Sequence, residues 1–372
     1  MLSGTRLVAV ARKEMLQLRR DTRSLILAFL LPLILLVLFG YAISWDIRDI
    51  KTAVLDHDSS MRSRELVDAM RASGYFDVTA HLQRPGDIAP LMDRGRIQAV
   101  LVVPVDFAKR LDAGQRASVQ AIVDGSDANT ATIVLGYLQA VVLTYSTRVQ
   151  LEGVRFTLPI EAHSRVWYNE ELVSKNMIVP GLVAVIMMII AAILTSLTIA
   201  REWERGTMEQ LAATPVTRIE VVLGKLLPYL GIGLVDVVLS SALGVLLFGV
   251  PFRGSPALLM ALSFMFLVGA LGLGMFISAV TRSQLLATQA AMLATFLPAF
   301  LLSGFMFAIE TMPPVLQAVT LLVPARYFLV VTRGIFLKGV GIEVLMVQGL
   351  LMIAFATAGV TLAIATFKKE LQ

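Results

Sequence analysis

Cysteine is absent from this 372-residue sequence. Disulfides, thiolate metal sites and cysteine nucleophiles are thereby excluded, and no disulfide pattern assigns a compartment to any loop. Histidine occurs three times, and His57, His81 and His163 have no partners at the spacings of a recognisable ligand motif. Charged residues make up 16% of the chain, short of the ~25% usual in soluble domains. Neither GxxxxGK(S/T), a nucleophile elbow nor a zincin helix occurs, so the chain is not itself a P-loop ATPase.

What is present is apolar: 57% of the residues are hydrophobic. Runs near the ~20 residues that cross a hydrocarbon core occur at Leu25–Ser44, Ile178–Ala200, Leu226–Val250, Ala257–Val280, Leu285–Ala308 and Val344–Phe367. Six transmembrane helices are expected. The first is too long for a signal-peptide apolar region and lacks a small-residue cleavage site, so it reads as a retained signal anchor. Basic residues crowd one side: Arg6, Arg12, Lys13, Arg19, Arg20 and Arg23 before the first span, Arg201, Arg205, Arg218 and Lys225 after the second, Arg282 after the fourth, and Lys368 and Lys369 at the end. The opposite short loops carry only Arg253, Arg326, Arg333 and Lys338. By the positive-inside rule both termini and the loop after the second span are cytoplasmic. The formal net charge of +5 then reflects topology. No clustered soluble basic face points to nucleic acid.

Within residues 1–24, Leu7, Val8, Ala11, Met15 and Leu18 share one helical face and Arg12, Lys13, Arg19 and Arg20 lie largely elsewhere. This is the pattern of an amphipathic helix resting on membrane lipid. After a first span over 25–45, residues 46–175 are more polar. Strand patterns at Thr52–Leu55, Phe76–His81, Ile97–Val103 and Ser118–Val123 alternate with helical ones at Ser60–Ala72, Asp87–Arg94, Asp106–Leu111 and Ala128–Leu151. The expectation is a mixed α/β domain, extracytoplasmic because it follows an outward span. Asp56, His57 and Asp58 could serve as metal ligands or a catalytic set, but neighbours at a strand end diverge, which favours a structural turn.

Residues 176–372 are expected to hold the other five spans. Asp236 lies mid-span, where a carboxylate faces a bundle interior or a wet cavity. It is either a pathway residue or a structural one bonded to Ser240 or Ser241. Gly269, Gly272 and Gly274 permit close helix approach. Pro314–Val323 and Arg326–Leu337 are each too short to cross and read as an outer re-entrant pair within 309–340, entered through the turn Gly304–Pro313.

The polar joint Arg201–Glu220, REWERGTMEQLAATPVTRIE, separates two spans. Thr207 with Gln210, and Thr217 with Glu220, have the capping-box spacing. Between them a short helix, Met208–Ala213, is stopped by Thr214-Pro215. Helices below ~12 residues are marginal alone, so this one needs a docking partner unless it is an ordinary loop.

REWERGTMEQLAATPVTR, followed by Gly224-Lys225-Leu-Leu-Pro228-Tyr229, resembles the permease subunits of type 2 ATP-binding-cassette (ABC) exporters, and most nearly the YhhJ, YbhR and YbhS group of bacterial multidrug-type permeases. The likeness spans nearly the whole chain and includes Pro324-Ala-Arg-Tyr327. Ala308 departs from it, standing where such permeases often have proline. The resemblance implies an inner-membrane exporter subunit for a drug-like or amphipathic substrate, without catalytic residues. It also implies a second permease, a cytoplasmic ATPase that carries ATP and Mg, and often a periplasmic adaptor. The coupling residues would be Glu202, Glu204, Arg205, Gly206, Thr207, Glu209 and Gln210, with Asp236 as the pathway candidate and no metal or cofactor bound by this chain. Two other readings remain open: a membrane-anchored sensor or scaffold that works through its external domain, and an ion-coupled secondary transporter using Asp236.

Overall fold

Wherever water is absent a backbone must close its hydrogen bonds within each element, and helices dominate the apolar part of the chain accordingly. The computed structural model describes residues 3–43, 49–126, 128–151, 168 and 173–367. His163, Lys368, Lys369 and the expected boundary at residues 45–46 lie outside them. The chain divides into two units, Met1–Ser44 with Arg165–Gln372, and Trp45–Ser164.

The first unit begins with α1 (Gly4–Arg20), followed by α2 (Thr22–Leu25) and α3 (Leu31–Ala42), the last two joined by a π-helical turn at Ile26–Leu30. Helix is unbroken from Thr22 to Ala42, but its apolar part, Ala28–Ala42, is shorter than the span-length helices of the chain and than the expected first span at Leu25–Ser44. The wide turn ends two residues before Pro32, whose ring would clash with the carbonyl four residues back, that of Ala28 within the turn, in a regular helix. A second π turn starts at Pro298.

The second unit is β1 (Ile50–Asp56), α4 (Met61–Ala72), β2 (Phe76–Leu82), α5 (Ile88–Asp93), β3 (Ala99–Val103), α6 (Phe107–Asp112), β4 (Gln120–Val123) and α7 (Ala128–Leu151). The sheet order is β2-β1-β3-β4, with β1 parallel to both neighbours and β4 antiparallel at the edge. Two apolar cores lie on its faces. One joins Ile50, Leu66, Phe76 and Leu101 to Val134, Leu138, Val141 and Tyr145 of α7, and the other holds Ala53, Leu55, Ile97 and Val100. Helix α7 is long and apolar enough to cross a membrane, yet that one face packs on this core and Tyr137 stacks on Tyr75. At the end of β1, Asp56 accepts the Asp58 and Ser59 amides, both at 3.0 Å, and the Ser63 hydroxyl at 2.6 Å. Asp58 accepts the Ala108 amide at 3.2 Å. The acidic pair locks a turn, and no metal-binding group of His, Asp and Glu exists among the described residues.

The chain returns to the first unit through α8 (Ser174–Glu204), α9 (Met208–Ala212), α10 (Arg218–Leu246), α11 (Pro256–Thr281), α12 (Gln284–Leu297), α13 (Pro314–Thr320), α14 (Pro324–Arg333) and α15 (Ile342–Thr366). Every residue of α8 from Ile178 to Ala192 is buried, as expected of a helix apolar all round. Four further helices besides α8 and α7 have span length and apolarity, namely α10, α11, α12 extended to Leu302, and α15. Small residues bring them close: a Cβ on Gly272 would lie 2.7 Å from the Gly359 backbone of α15, and Thr195 on α8 donates to Leu271 O on α11 at 2.8 Å. Segments Pro314–Thr320 and Pro324–Lys338 meet at 77°, as a broken or re-entrant span does. Ala308, at the turn leading there, has φ −62°, a value proline would also impose.

Candidate functional site

The joint between α8 and α10 is built around buried charge. Helix α8 ends in a Schellman turn: Gly206, at φ +69°, donates to Trp203 O at 3.2 Å, and Thr207 donates to Glu202 O at 3.1 Å. Glycine is favoured there because a Cβ is strained in the left-handed region. The turn sends the chain into α9, whose Met208 and Leu211 point inward while Glu209 and Gln210 are exposed. Thr217 then starts α10 with the expected capping box, its hydroxyl accepting Glu220 N at 3.4 Å and Glu220 accepting Thr217 N at 2.8 Å.

The expected box at Thr207 and Gln210 does not form. Thr207 has helical backbone angles and makes no side-chain cap. Its hydroxyl donates instead to Glu202 Oε2 in a short hydrogen bond, because the Schellman turn places it over the end of α8 and a buried carboxylate is the stronger acceptor.

Glu202 is the hub. Its Oε1 receives Lys13 Nζ from α1 at 2.9 Å and Lys225 Nζ from α10 at 3.1 Å. Lys225 also reaches Glu14 Oε2 on α1 at 2.8 Å, and Tyr229 donates to Glu14 Oε1 at 3.2 Å. Glu14, Glu202, Lys225 and Tyr229 are each at most 4% exposed. Buried Lys225 faces both carboxylates, and Lys13, its side chain 53% exposed, supplies the second positive charge from the rim, so the set is neutral, the condition for burying its carboxylates. Around it α1 is tied down at further points. Ser3 N donates to Glu220 at 2.7 Å, Arg6 donates to Pro215 O at 2.7 Å, and Arg201 pairs with Asp21 at 2.8 Å. Gly224 lets α10 approach closely, for a Cβ there would lie 2.8 Å from the Val10 side chain.

The seven joint residues singled out from the sequence therefore divide. Glu202 and Thr207 face inward, and Gly206 sets the turn. Glu204 accepts Gln284 N at 2.7 Å, an anion at the N-terminus of α12 where the helix dipole favours it. Arg205, Glu209 and Gln210 are exposed, and their side chains make no hydrogen bond or ion pair with the described residues. Lys225 and Tyr229 stand in the stretch Gly224–Tyr229 that carries the family resemblance, but neither they nor Glu14 were given a role in the site. A lone glutamate on the apolar face of a basic helix, and a lone lysine in the first turns of a span, are the signals that point to them.

Asp236 lies about 16 Å along α10 from Lys225, at ~1.5 Å per residue, and belongs to a different place. It is 2% exposed, and its Oδ1 has no hydrogen-bond partner among the described residues; neither do the hydroxyls of Ser240 and Ser241. The expected bond from Asp236 to either serine is not made.

The family model for ABC-2 family transporter proteins matches residues 23–367. The chain is 41% identical to the probable multidrug ABC transporter permease YbhS of Escherichia coli (strain K12), over all of this chain and 98% of that protein. It is 33% identical to the probable multidrug ABC transporter permease YbhR of the same organism, over 91% of this chain and 92% of that one. Identity is 27% to the inner membrane transport permease YhhJ, also of Escherichia coli (strain K12), over 86% and 85%.

Proposed function

The chain belongs to the ABC-2 transporter family, a multi-pass membrane permease by its relatives and its apolar helices, and from that premise we propose that it is the membrane subunit of an ATP-driven exporter. A separate cytoplasmic ATPase subunit supplies ATP and Mg, and a second permease completes the bundle. The substrate is a drug-like or amphipathic molecule leaving across a bacterial inner membrane. Orientation follows the basic residues: both termini, α1 and α9 on the cytoplasmic side, the α/β unit outside, and α13 with α14 at the outer surface, where an adaptor protein would meet the complex.

The observation that carries this reading is the neutral charge set beneath α9. A five-residue helix has no stability of its own, yet this one sits over a joint in which Lys225 ties α1 and α8 to α10. Its outward side presents Glu209 and Gln210 with no internal partner. Such a helix can take a push from a closing ATPase and pass it to three helices at once, switching the bundle between two packed states. Asp236, buried with one oxygen unsatisfied, is the residue we place on the export path. The same orphan oxygen would serve ion-coupled transport, and export that survives ATP depletion would favour that second reading.

The experiment uses the cysteine-free background. A single cysteine at Glu209 should cross-link to a co-expressed ATPase, and Glu209→Lys should weaken co-purification and uncouple ATP hydrolysis from export while leaving membrane insertion intact. Absence of the cross-link together with normal export by Glu209→Lys would remove the basis of this reading.

A further inference from the structure

The outer flank of α1 and the end of α8 enclose a groove of about 1160 Å³. Its rim is cationic: Arg12, Lys13 and Arg20 come from α1, and Arg201 and Arg205 from α8. Lys13 is committed to Glu202 at 2.9 Å and Arg201 to Asp21 at 2.8 Å. Arg12, Arg20 and Arg205 are exposed and have no ion pair among the described residues. Three uncompensated guanidinium groups around one cleft are a strong anion site, since each presents a planar fork of donors matched to phosphate.

The groove is not uniformly polar, and this decides between occupants. On α8 the lining residues Leu197, Arg201 and Arg205 recur every four positions, so one helix face changes from apolar to cationic as α8 leaves its apolar stretch. On α1, Val8 and Leu16 line the same cleft at 61% and 48% exposure. Leu285 and Leu286, next to the lining residue Gln284, are 67% and 55% exposed. On α1 these apolar residues alternate with the cationic ones, Val8, Arg12, Leu16 and Arg20 following one another at single-turn spacing, and an acidic peptide would have no use for such exposed apolar surface. A molecule that carries both a phosphate and hydrocarbon matches this mixture, with the apolar-to-cationic order along α8 giving its direction, and a basic pocket beside membrane helices on the cytoplasmic side is where such headgroups bind.

We infer that this groove is a binding site for an anionic phospholipid of the inner leaflet, its phosphate held by Arg12, Arg20 and Arg205 and its acyl chain running past Leu16 and Leu197. A lipid there would be wedged between α1 and α8, and so would brace the charge set that joins them. The inference rests on the membrane orientation given above but not on the transport reading, because lipid retention is measured on the permease alone.

The test is native mass spectrometry of the full-length permease extracted from mixed phosphatidylcholine–phosphatidylglycerol vesicles. The unaltered protein should retain phosphatidylglycerol in preference to phosphatidylcholine. Arg12→Gln with Arg20→Gln should reduce that retention by about 10- to 30-fold, given the usual contribution of each basic residue near an anionic surface. Arg12→Lys with Arg20→Lys should keep most of it, which separates loss of charge from loss of fold, and Lys109→Gln in the α/β unit should change nothing. Equal retention of the two lipids, or undiminished retention in the glutamine pair, would overturn the inference. So would displacement of phosphatidylglycerol by inorganic phosphate, which would make the occupant a free anion, or its loss on binding the ATPase, which would make the groove a protein-docking face.

Discussion

Lys225 on α10 holds Glu14 of α1 at 2.8 Å in a place where neither residue is more than 3% exposed. An ion pair that well shielded adds little over an apolar packing of equal volume, but removing one member strands the other. Lys225→Met should therefore lower stability by about 3–5 kcal/mol, and Glu14→Gln combined with Glu202→Gln in that background should recover a large part of it. Thermal unfolding of the purified permease across this set measures the coupling. Equal, additive losses would mean that the three residues do not act as one network.

Thr207 and Thr217 look alike in the sequence and should behave differently. Thr217→Ala removes a true N-cap and should cost about 0.5–2 kcal/mol, read as a lower thermal midpoint. Thr207→Ser should be silent because it keeps the hydroxyl that Glu202 accepts. Thr207→Val should raise ATP hydrolysis without export, as a buried carboxylate loses a donor at the joint. Thr207→Asp, which would serve a true N-cap, should lower the midpoint because it sets a second carboxylate against Glu202; a raised midpoint would contradict the assignment of only one cap.

Gly206 has φ +69°, so Gly206→Ala should cost about 1–2 kcal/mol and re-aim α9. Gly206→Asn, which tolerates that region better, should cost less. The cross-link from a cysteine at Glu209 to the ATPase reports the aim of the helix directly: it should weaken with alanine and persist with asparagine.

Asp236 is buried with one oxygen unsatisfied, and that predicts an unusual pair of outcomes. Asp236→Leu should hold or raise the thermal midpoint, because an apolar side chain needs no partner there, while export falls sharply. Asp236→Asn should leave membrane level unchanged and also impair export. A lowered midpoint with normal export would return the residue to a purely structural role.

The α/β unit has its own sheet and two cores, so a fragment of residues 45–164, the bounds of the second unit, should fold and unfold cooperatively. Circular dichroism with a thermal scan checks this. A signal lacking strand and helix, or a melt without a transition, would show that the unit depends on the membrane helices.

Much of this architecture was legible because it follows from local rules. Strands β1 to β4 fall within a few residues of the runs read from β-branched content, and the Thr217 box forms as its spacing requires. What escaped is long-range. The Thr207 box has the same spacing but loses to a turn that spacing does not register: Gly206 puts Thr207 above Glu202, and a buried carboxylate outcompetes a backbone amide for the hydroxyl. Glu204 likewise reads as a surface charge until α12 arrives with Gln284 N to be capped. Lys225 and Glu14 have no sequence relation at all, and their partnership exists only once α1 lies along α10. Asp236 was legible as a buried carboxylate, but its missing bond to Ser240 or Ser241 depends on side-chain placement that a helical pattern leaves open.

Glu14 is made 211 residues before Lys225. At the ~5–20 residues per second of ribosomal synthesis, a wait of about 10–40 s separates the two, and in that interval the carboxylate has no buried cation to face. Helix α1 therefore cannot be held to α10 through Glu14 during that interval. The tie from Glu14 to Lys225 closes only once α10 has been made, which sets completion of the joint late in the birth of the protein.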